Sequence, residues 1–224
     1  MKDGHIRIIN SSFLNCKVIE LKENVGFTMA LNAGLEHCEN ELIFRVDTDD
    51  INYSNRFELQ LNYLNEHPEI SILGAQICLI DSTGRLINQK KTVPKGQRKI
   101  RLYRFFKNPL NHPTVVFKKS VILKIGGYKN VMFYEDWYLW CELLSKENII
   151  FENLSETLVK YRIRNITERH GWKFLKYEYF FYRELKNKKI LNPALWVLIL
   201  FLKLFIKISP KPLYRLVKKI YSQI

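Results

Sequence analysis

Apolar positions along this chain change spacing several times, and each change marks an element. KVIEL (17–21) reads as a short strand. KENVG (22–26) turns, and FTMALNAGLEHC (27–38) follows with helical spacing. Its small residues Ala30, Ala33 and Gly34 suit close packing on a sheet. ELIFRV (41–46) reads as the next strand, so strand, helix and strand alternate as in a βαβ unit. Beyond it, Phe57, Leu61 and Leu64 recur at i, i+4 and i+7, one helix face that ends before Pro68. ISILGAQICLI (70–80) is a long apolar strand, turned by Asp81-Ser82-Thr83-Gly84 into RLINQ. A helix over GQRKIRLYRFF, a strand at PTVVF, a short helix, the loop GGY (126–128) and a helix over EDWYLWCELLSK come next. IIFEN and TLVKYRI read as two closing strands. From about Asn165 onward the pattern is helical throughout.

The stretch IFRVDTDD (43–50) ends a buried strand in three carboxylates within four positions, Asp47, Asp49 and Asp50. Like charges repel, so the crowding calls for a reason. A helix cap, a solvated turn and a hard-cation site all fit the residues. Mg²⁺ or Mn²⁺ takes one or two carboxylates and completes its shell with water and substrate phosphates. In an open α/β sheet, ligands sit beyond the carboxyl ends of strands, where this cluster lies.

Three further features carry chemistry. Glu135 and Asp136 open a helix among Phe133, Tyr134 and Trp137. They suit either the positive helix end or a general base. His112 precedes a proline at a strand entrance, a position that a structural histidine fills equally well. Asn24 and Gly26 stand at a helix N-terminus, where backbone can approach a ligand closely.

Taken in order, NVGFTMALNAGL, ELIFRVDTDD, RFELQLNYL, NHPTVVFKKS, GGY and YEDWYLW closely resemble family 2 glycosyltransferases of the GT-A fold, in particular bacterial enzymes of capsule and exopolysaccharide assembly. The resemblance covers roughly residues 1–165. It implies an α/β fold with a mixed, mainly parallel sheet flanked by helices, and an inverting transfer from a nucleotide-diphosphate sugar to a saccharide or lipid-linked acceptor. By resemblance, Asp47 and Asp49 match the metal-binding Asp-x-Asp motif, with Mn²⁺ or Mg²⁺ as cofactor. Asp136 matches the catalytic base and Glu135 its companion. Asn24, Gly26 and Asn32 border the donor nucleotide, while His112, Gly127, Tyr128 and Trp137 face the acceptor. Family members open with a strand, helix and strand ahead of KVIEL. About 30 residues of that pattern, the size of a βαβ unit, have no counterpart before Met1, and Asp3 in KDG matches the nucleoside-contacting Asp at its tail. The domain expectation is therefore an N-terminally truncated GT-A-like domain over 1–164 and a helical extension over 165–224.

Composition sharpens the extension. The net charge of +14 is concentrated in residues 160–224, which hold 16 Lys/Arg against 3 Asp/Glu. Basic charge can serve nucleic acid or an anionic membrane. The apolar run from Pro193 to Leu202 decides between them. It suits a helix lying in the membrane interface and is short for a span of about 20 residues. Packing against the catalytic domain is the competing reading. The expected location is the inner face of the cell membrane, with no nucleic-acid partner. The four scattered cysteines, Cys16, Cys38, Cys78 and Cys141, form no CxxC pair and fit a reducing compartment. Two other functions compete: an inactive or partner-dependent fragment of such an enzyme, and a metal-dependent nucleotidyltransferase.

Overall fold

The structure is a computed structural model that describes residues 17–163 and 172–208. In chain order its elements are α1 (Phe27–His37), β1 (Leu42–Phe44), β2 (Ile51–Asn52), α2 (Arg56–Glu66), β3 (Ile70–Ile80), β4 (Leu86–Lys91), α3 (Gln97–Tyr103), β5 (Val116–Lys118), α4 (Lys119–Leu123), α5 (Glu135–Leu144), β6 (Ile150–Arg162), α6 (Trp172–Asn187) and α7 (Pro193–Ile208), with a 3-10 turn at His112–Thr114. The chain divides into two compact units at Glu39/Asn40. The first contributes α1, entered through Gly26 at φ 82°. The second holds the sheet and all later elements.

The longest apolar run forms the axis of the sheet. Nearly every residue of β3 is buried, as a strand covered on both faces requires. The order is β1-β5-β3-β6-β2, with β4 paired to β3. The sheet is mixed and flanked by helices, as expected. Its parallel share is small among the described residues: β3 and β6 run parallel, and the other four pairings are antiparallel. Residues 17–21 form no strand; Val18 and Leu21 are over 40% exposed, and no described strand pairs with them. The two expected closing strands are one. β6 runs unbroken for 13 residues, and register shifts against Gly74 and Gln76 absorb the polar stretch between its apolar halves. Gly74 is required there: a Cβ would lie 2.2 Å from Asn153 Oδ1, and the Asn153 amide donates to the carbonyls of Pro94 and Pro109.

Helix α2 also departs from its expected register. Phe57 and Leu61 are 43% and 41% exposed, and the buried positions are Arg56, Gln60 and Leu64. The face is one residue out because polar groups occupy its inner end. Arg56 Nη2 donates to the Arg45 carbonyl at 2.8 Å, Nε to Gln60 Oε1 at 3.0 Å, and Nη1 to Asn52 Oδ1. Gln60 in turn donates to the Thr114 carbonyl at 2.8 Å. These bonds tie β2, α2 and the end of β1 to the 112–114 turn, which is where a strand-end site must be held still.

On the far side, α5, α6 and α7 share a core. Trp137, Tyr138 and Cys141 of α5 pack with Phe181, Tyr182, Leu185 and Ile199. Burying each large apolar side chain contributes roughly 1.5–3 kcal/mol, so the helical pair is firmly seated on α5. Among the described residues, no helix is long and apolar enough to cross a membrane.

Candidate active site

β1 delivers the acidic turn. Arg45 N–H donates to the Val115 carbonyl at 2.9 Å, which carries the β1–β5 pairing one residue past the strand. The chain then turns: the Asp50 amide donates to the Asp47 carbonyl at 3.2 Å. The Asp47 carboxylate pairs with the Arg45 guanidinium. Asp50 is held from β6, its Oδ1 accepting the Arg162 backbone N–H at 2.8 Å. Burial pushes the Asp50 carboxyl up to about 6, and the neighbouring charges of Asp47 and Asp49 act in the same direction. Its Oδ2 is buried without a hydrogen-bond partner among the described residues.

α5 delivers the second acid. Phe133 enters the helix at φ 68°, a left-handed conformation rare for a bulky residue and held by its surroundings. Its N–H donates to Glu135 Oε1 at 3.3 Å, and its ring packs on Phe174 and Tyr177. Asp136 Oδ2 accepts the Asn108 amide at 2.6 Å and lies 3.9 Å from His112 Nδ1. His112 Nε2 shares a 3.1 Å hydrogen bond with the Tyr128 hydroxyl. Gly126 and Gly127, at φ 77° and 71°, form the turn that places Tyr128. Burial lowers the His112 pKa to about 4, so the imidazole is neutral near pH 7 and leaves Asp136 free to act as an acceptor. Burial also raises the Tyr128 hydroxyl above its ordinary range, and the charges of Arg45, Asp136 and Asp47 all act on it. The His112–Tyr128 pair thus stands against the helix-start acid Asp136, at the end of the sheet where β1 delivers the acidic turn.

The predicted residues fall into distinct groups. Asp47, His112, Gly127, Tyr128 and Asp136 converge on this end of the sheet. Glu135 sits beside Asp136, with its carboxylate turned back to the Phe133 backbone. Trp137 lies on the other side of α5; its indole donates to the Arg104 carbonyl at 2.6 Å and stacks with Phe181 in the helical core. In the first unit, Asn24 Oδ1 accepts the Gly26 N–H at 3.1 Å, forming the turn into α1, and Asn32 lies within that helix. Asp3 lies outside the described residues. Asn108 and Arg162 have no sequence signal, because the partners they hold are 28 and 112 residues away.

The acidic turn fits a hard cation by its donor chemistry: Asp47, Asp49 and Asp50 stand within four positions, and Asp50 Oδ2, beside the two expected ligands, is buried without a hydrogen-bond partner among the described residues. Among the described residues, no three His, Cys, Asp or Glu side chains form a closed metal cage. An open two-carboxylate site is the form such ions take when substrate phosphates complete the shell.

Comparison with known proteins bears on the family and the fold. Residues 2–125 match the family model described as Glycosyl transferase family 2. The chain is 34% identical over 194 residues to the amylovoran biosynthesis glycosyltransferase AmsE of Erwinia amylovora, covering 84% of this chain and 72% of that protein. It is 36% identical over 177 residues to the UDP-Gal:alpha-D-GlcNAc-diphosphoundecaprenol beta-1,3-galactosyltransferase of Escherichia coli, covering 76% of this chain and 64% of that protein. Among solved structures, S. aureus TarS 1-349 superposes with a TM-score of 0.62 at 20% identity, covering 93% of this chain and 60% of that one. The chain thus spans less than two thirds of the galactosyltransferase and of the TarS structure.

Proposed function

The chain belongs to glycosyl transferase family 2, and on that premise we propose that it moves a sugar from a nucleotide-diphosphate sugar to a hydroxyl of a saccharide or lipid-linked acceptor, with inversion, in the assembly of a bacterial surface polysaccharide. The observation that carries this reading is that Asp136 meets His112, whose ring bonds Tyr128, at the sheet end where the β1–β5 pairing delivers Asp47. Asp47 and Asp49 would hold Mn²⁺ or Mg²⁺, which neutralises charge developing on the departing diphosphate. Asp136 accepts the proton of the acceptor hydroxyl as its oxygen bonds to the anomeric carbon. The bond from that carbon to the diphosphate breaks, and the nucleoside diphosphate leaves. One carboxylate base and no covalent intermediate give a single displacement. Asn108, donating to Asp136, keeps the carboxylate oriented as an acceptor. The name of the E. coli relative, with a UDP-sugar donor and a diphospholipid acceptor, supports the same substrate classes.

The outer face of α7 supports attachment to an anionic membrane surface. Val197, Leu198, Phe201, Leu202 and Phe205 are 41–66% exposed at i, i+3 and i+4 spacing. Lys207, Lys211, Arg215, Lys218 and Lys219 follow in the sequence. A catalytic end held near the bilayer suits a lipid-linked acceptor.

Incubating the chain with a panel of UDP-, GDP- and dTDP-sugars, Mn²⁺ and polyprenyl-diphosphate saccharides tests the activity. Metal-dependent release of nucleoside diphosphate coupled to glycosylated lipid is expected. Turnover that survives removal of every divalent cation would sink the metal part of the reading, and failure to bind any nucleotide would sink the whole.

A further inference from the structure

The mechanism leaves Arg162, the last residue of β6, without a part, yet its bonds converge on the acidic turn. Its Nε donates to the Asp49 carbonyl at 2.8 Å, and its backbone N–H donates to Asp50 Oδ1 at 2.8 Å. From the same guanidinium, Nη1 donates to the carbonyls of Asp81 and Ser82 at 3.0 and 2.9 Å. Arg162 thus bridges the turn after β1 and the turn between β3 and β4, while pairing with Ile80 at the end of β3. Without it, the described backbone hydrogen bonds give the turn one internal tie, Asp50 N–H to the Asp47 carbonyl.

The geometry points to Arg162 as the positioning residue of the Asp47-Thr48-Asp49 turn, a rigid fork that fixes the backbone of Asp49 so that the two carboxylates stay aimed at a metal–diphosphate. The inference rests on the proposed donor site and adds to it the element that holds it. A planar guanidinium can reach carbonyls of two separate turns at once; an ammonium is a point charge and cannot span them in the same way. The Asp49 carbonyl is gripped directly, so an error in the fork passes to the adjacent carboxylate without an intervening flexible side chain. The remaining contact, backbone N–H to Asp50 Oδ1, does not depend on the Arg162 side chain. Substitution there therefore loosens the turn and leaves β6 paired with β2 and β3.

Arg162→Gln and Arg162→Lys test this. Mn²⁺ binding is followed by electron paramagnetic resonance with UDP or GDP present, alongside thermal unfolding of each protein. Both variants are expected to keep the native unfolding midpoint within a few degrees and to bind Mn²⁺·nucleotide about tenfold to a hundredfold more weakly, as loss of groups that orient metal ligands does. Lysine restores the charge but little of the affinity. Native affinity in Arg162→Gln overturns the clamp, and so does full rescue by lysine, which would make the role one of charge alone. If Arg162→Gln fails to fold while Arg162→Lys folds and binds normally, the residue is structural and the inference is again overturned. Absence of binding by the native chain overturns the donor-site reading itself, and the clamp falls with it.

Discussion

Asn108 and His112 both approach Asp136 Oδ2, one as a donor at 2.6 Å and one as a neutral ring at 3.9 Å. Asn108→Ala removes the hydrogen bond and leaves Asp136 free to rotate. We expect kcat to fall about tenfold or more with the nucleotide affinity unchanged, since only the geometry of proton acceptance is altered. Steady-state kinetics beside direct binding separate the two effects. His112 carries a pH dependence. Its ordinary pKa is 6.5 and its folded value about 4. Above pH 6.5 the ring is neutral in both states. As pH falls from about 6.5 to 4, the unfolded ring takes up a proton that the folded ring refuses, so stability is lost across that window, by about 3 kcal/mol at its end. Asp50 acts with the opposite sign, since a pKa raised from 3.8 to about 6 favours the folded state as pH falls. Urea unfolding of native and His112→Gln proteins across the window isolates the histidine: the native chain should lose more stability than the variant, and parallel curves would contradict the assignment. The acids themselves were legible, because three carboxylates closing an apolar strand stand out. Asn108 and Arg162 were not, because ordinary polar side chains acquire meaning only when the fold brings distant partners to them.

At the scale of elements, patterns told type better than register. α2 was visible as a helix, yet its inner face holds Arg56 and Gln60, whose charge and amide are satisfied by carbonyls and side chains from four segments. An apolar count cannot see a polar core of that kind. β6 read as two strands because Ser155 and Glu156 interrupt it, and the bulge against β3 tolerates them. KVIEL has the apolar, β-branched character of a strand, but such a stretch becomes a strand only with a neighbour to pair with. α7 packs inward through Leu195, Trp196, Ile199 and Leu200, as the packing reading expects, and leaves the Phe201 face exposed for the attachment proposed above. Replacing Val197, Phe201 and Phe205 by serine should abolish co-sedimentation with phosphatidylglycerol vesicles while unfolding stays native-like. Undiminished vesicle binding would assign attachment elsewhere.

At the scale of the molecule, α7 and α5, which carries the proposed base, share one core. Lys203 lies 3.8 Å from Glu178, over the rings of Trp137 and Tyr182, and Tyr134 donates to Glu178 at 3.4 Å. Tyr134 immediately precedes α5, whose first two residues are Glu135 and Asp136. This ion pair and hydrogen bond therefore link α7 through α6 to the residue that precedes α5. The family's architecture was legible from the order of its motifs, because each marks a strand end or helix start that the sheet brings together.

The most direct test of the account is Asp136→Asn, assayed for nucleotide binding and for sugar transfer in the same preparation. The side chain keeps its size and can still meet Asn108 and His112, but it no longer accepts a proton as a carboxylate does. The account predicts Mn²⁺-dependent nucleotide affinity like that of the native chain and transfer reduced by about a hundredfold or more. Transfer at the native rate would contradict it.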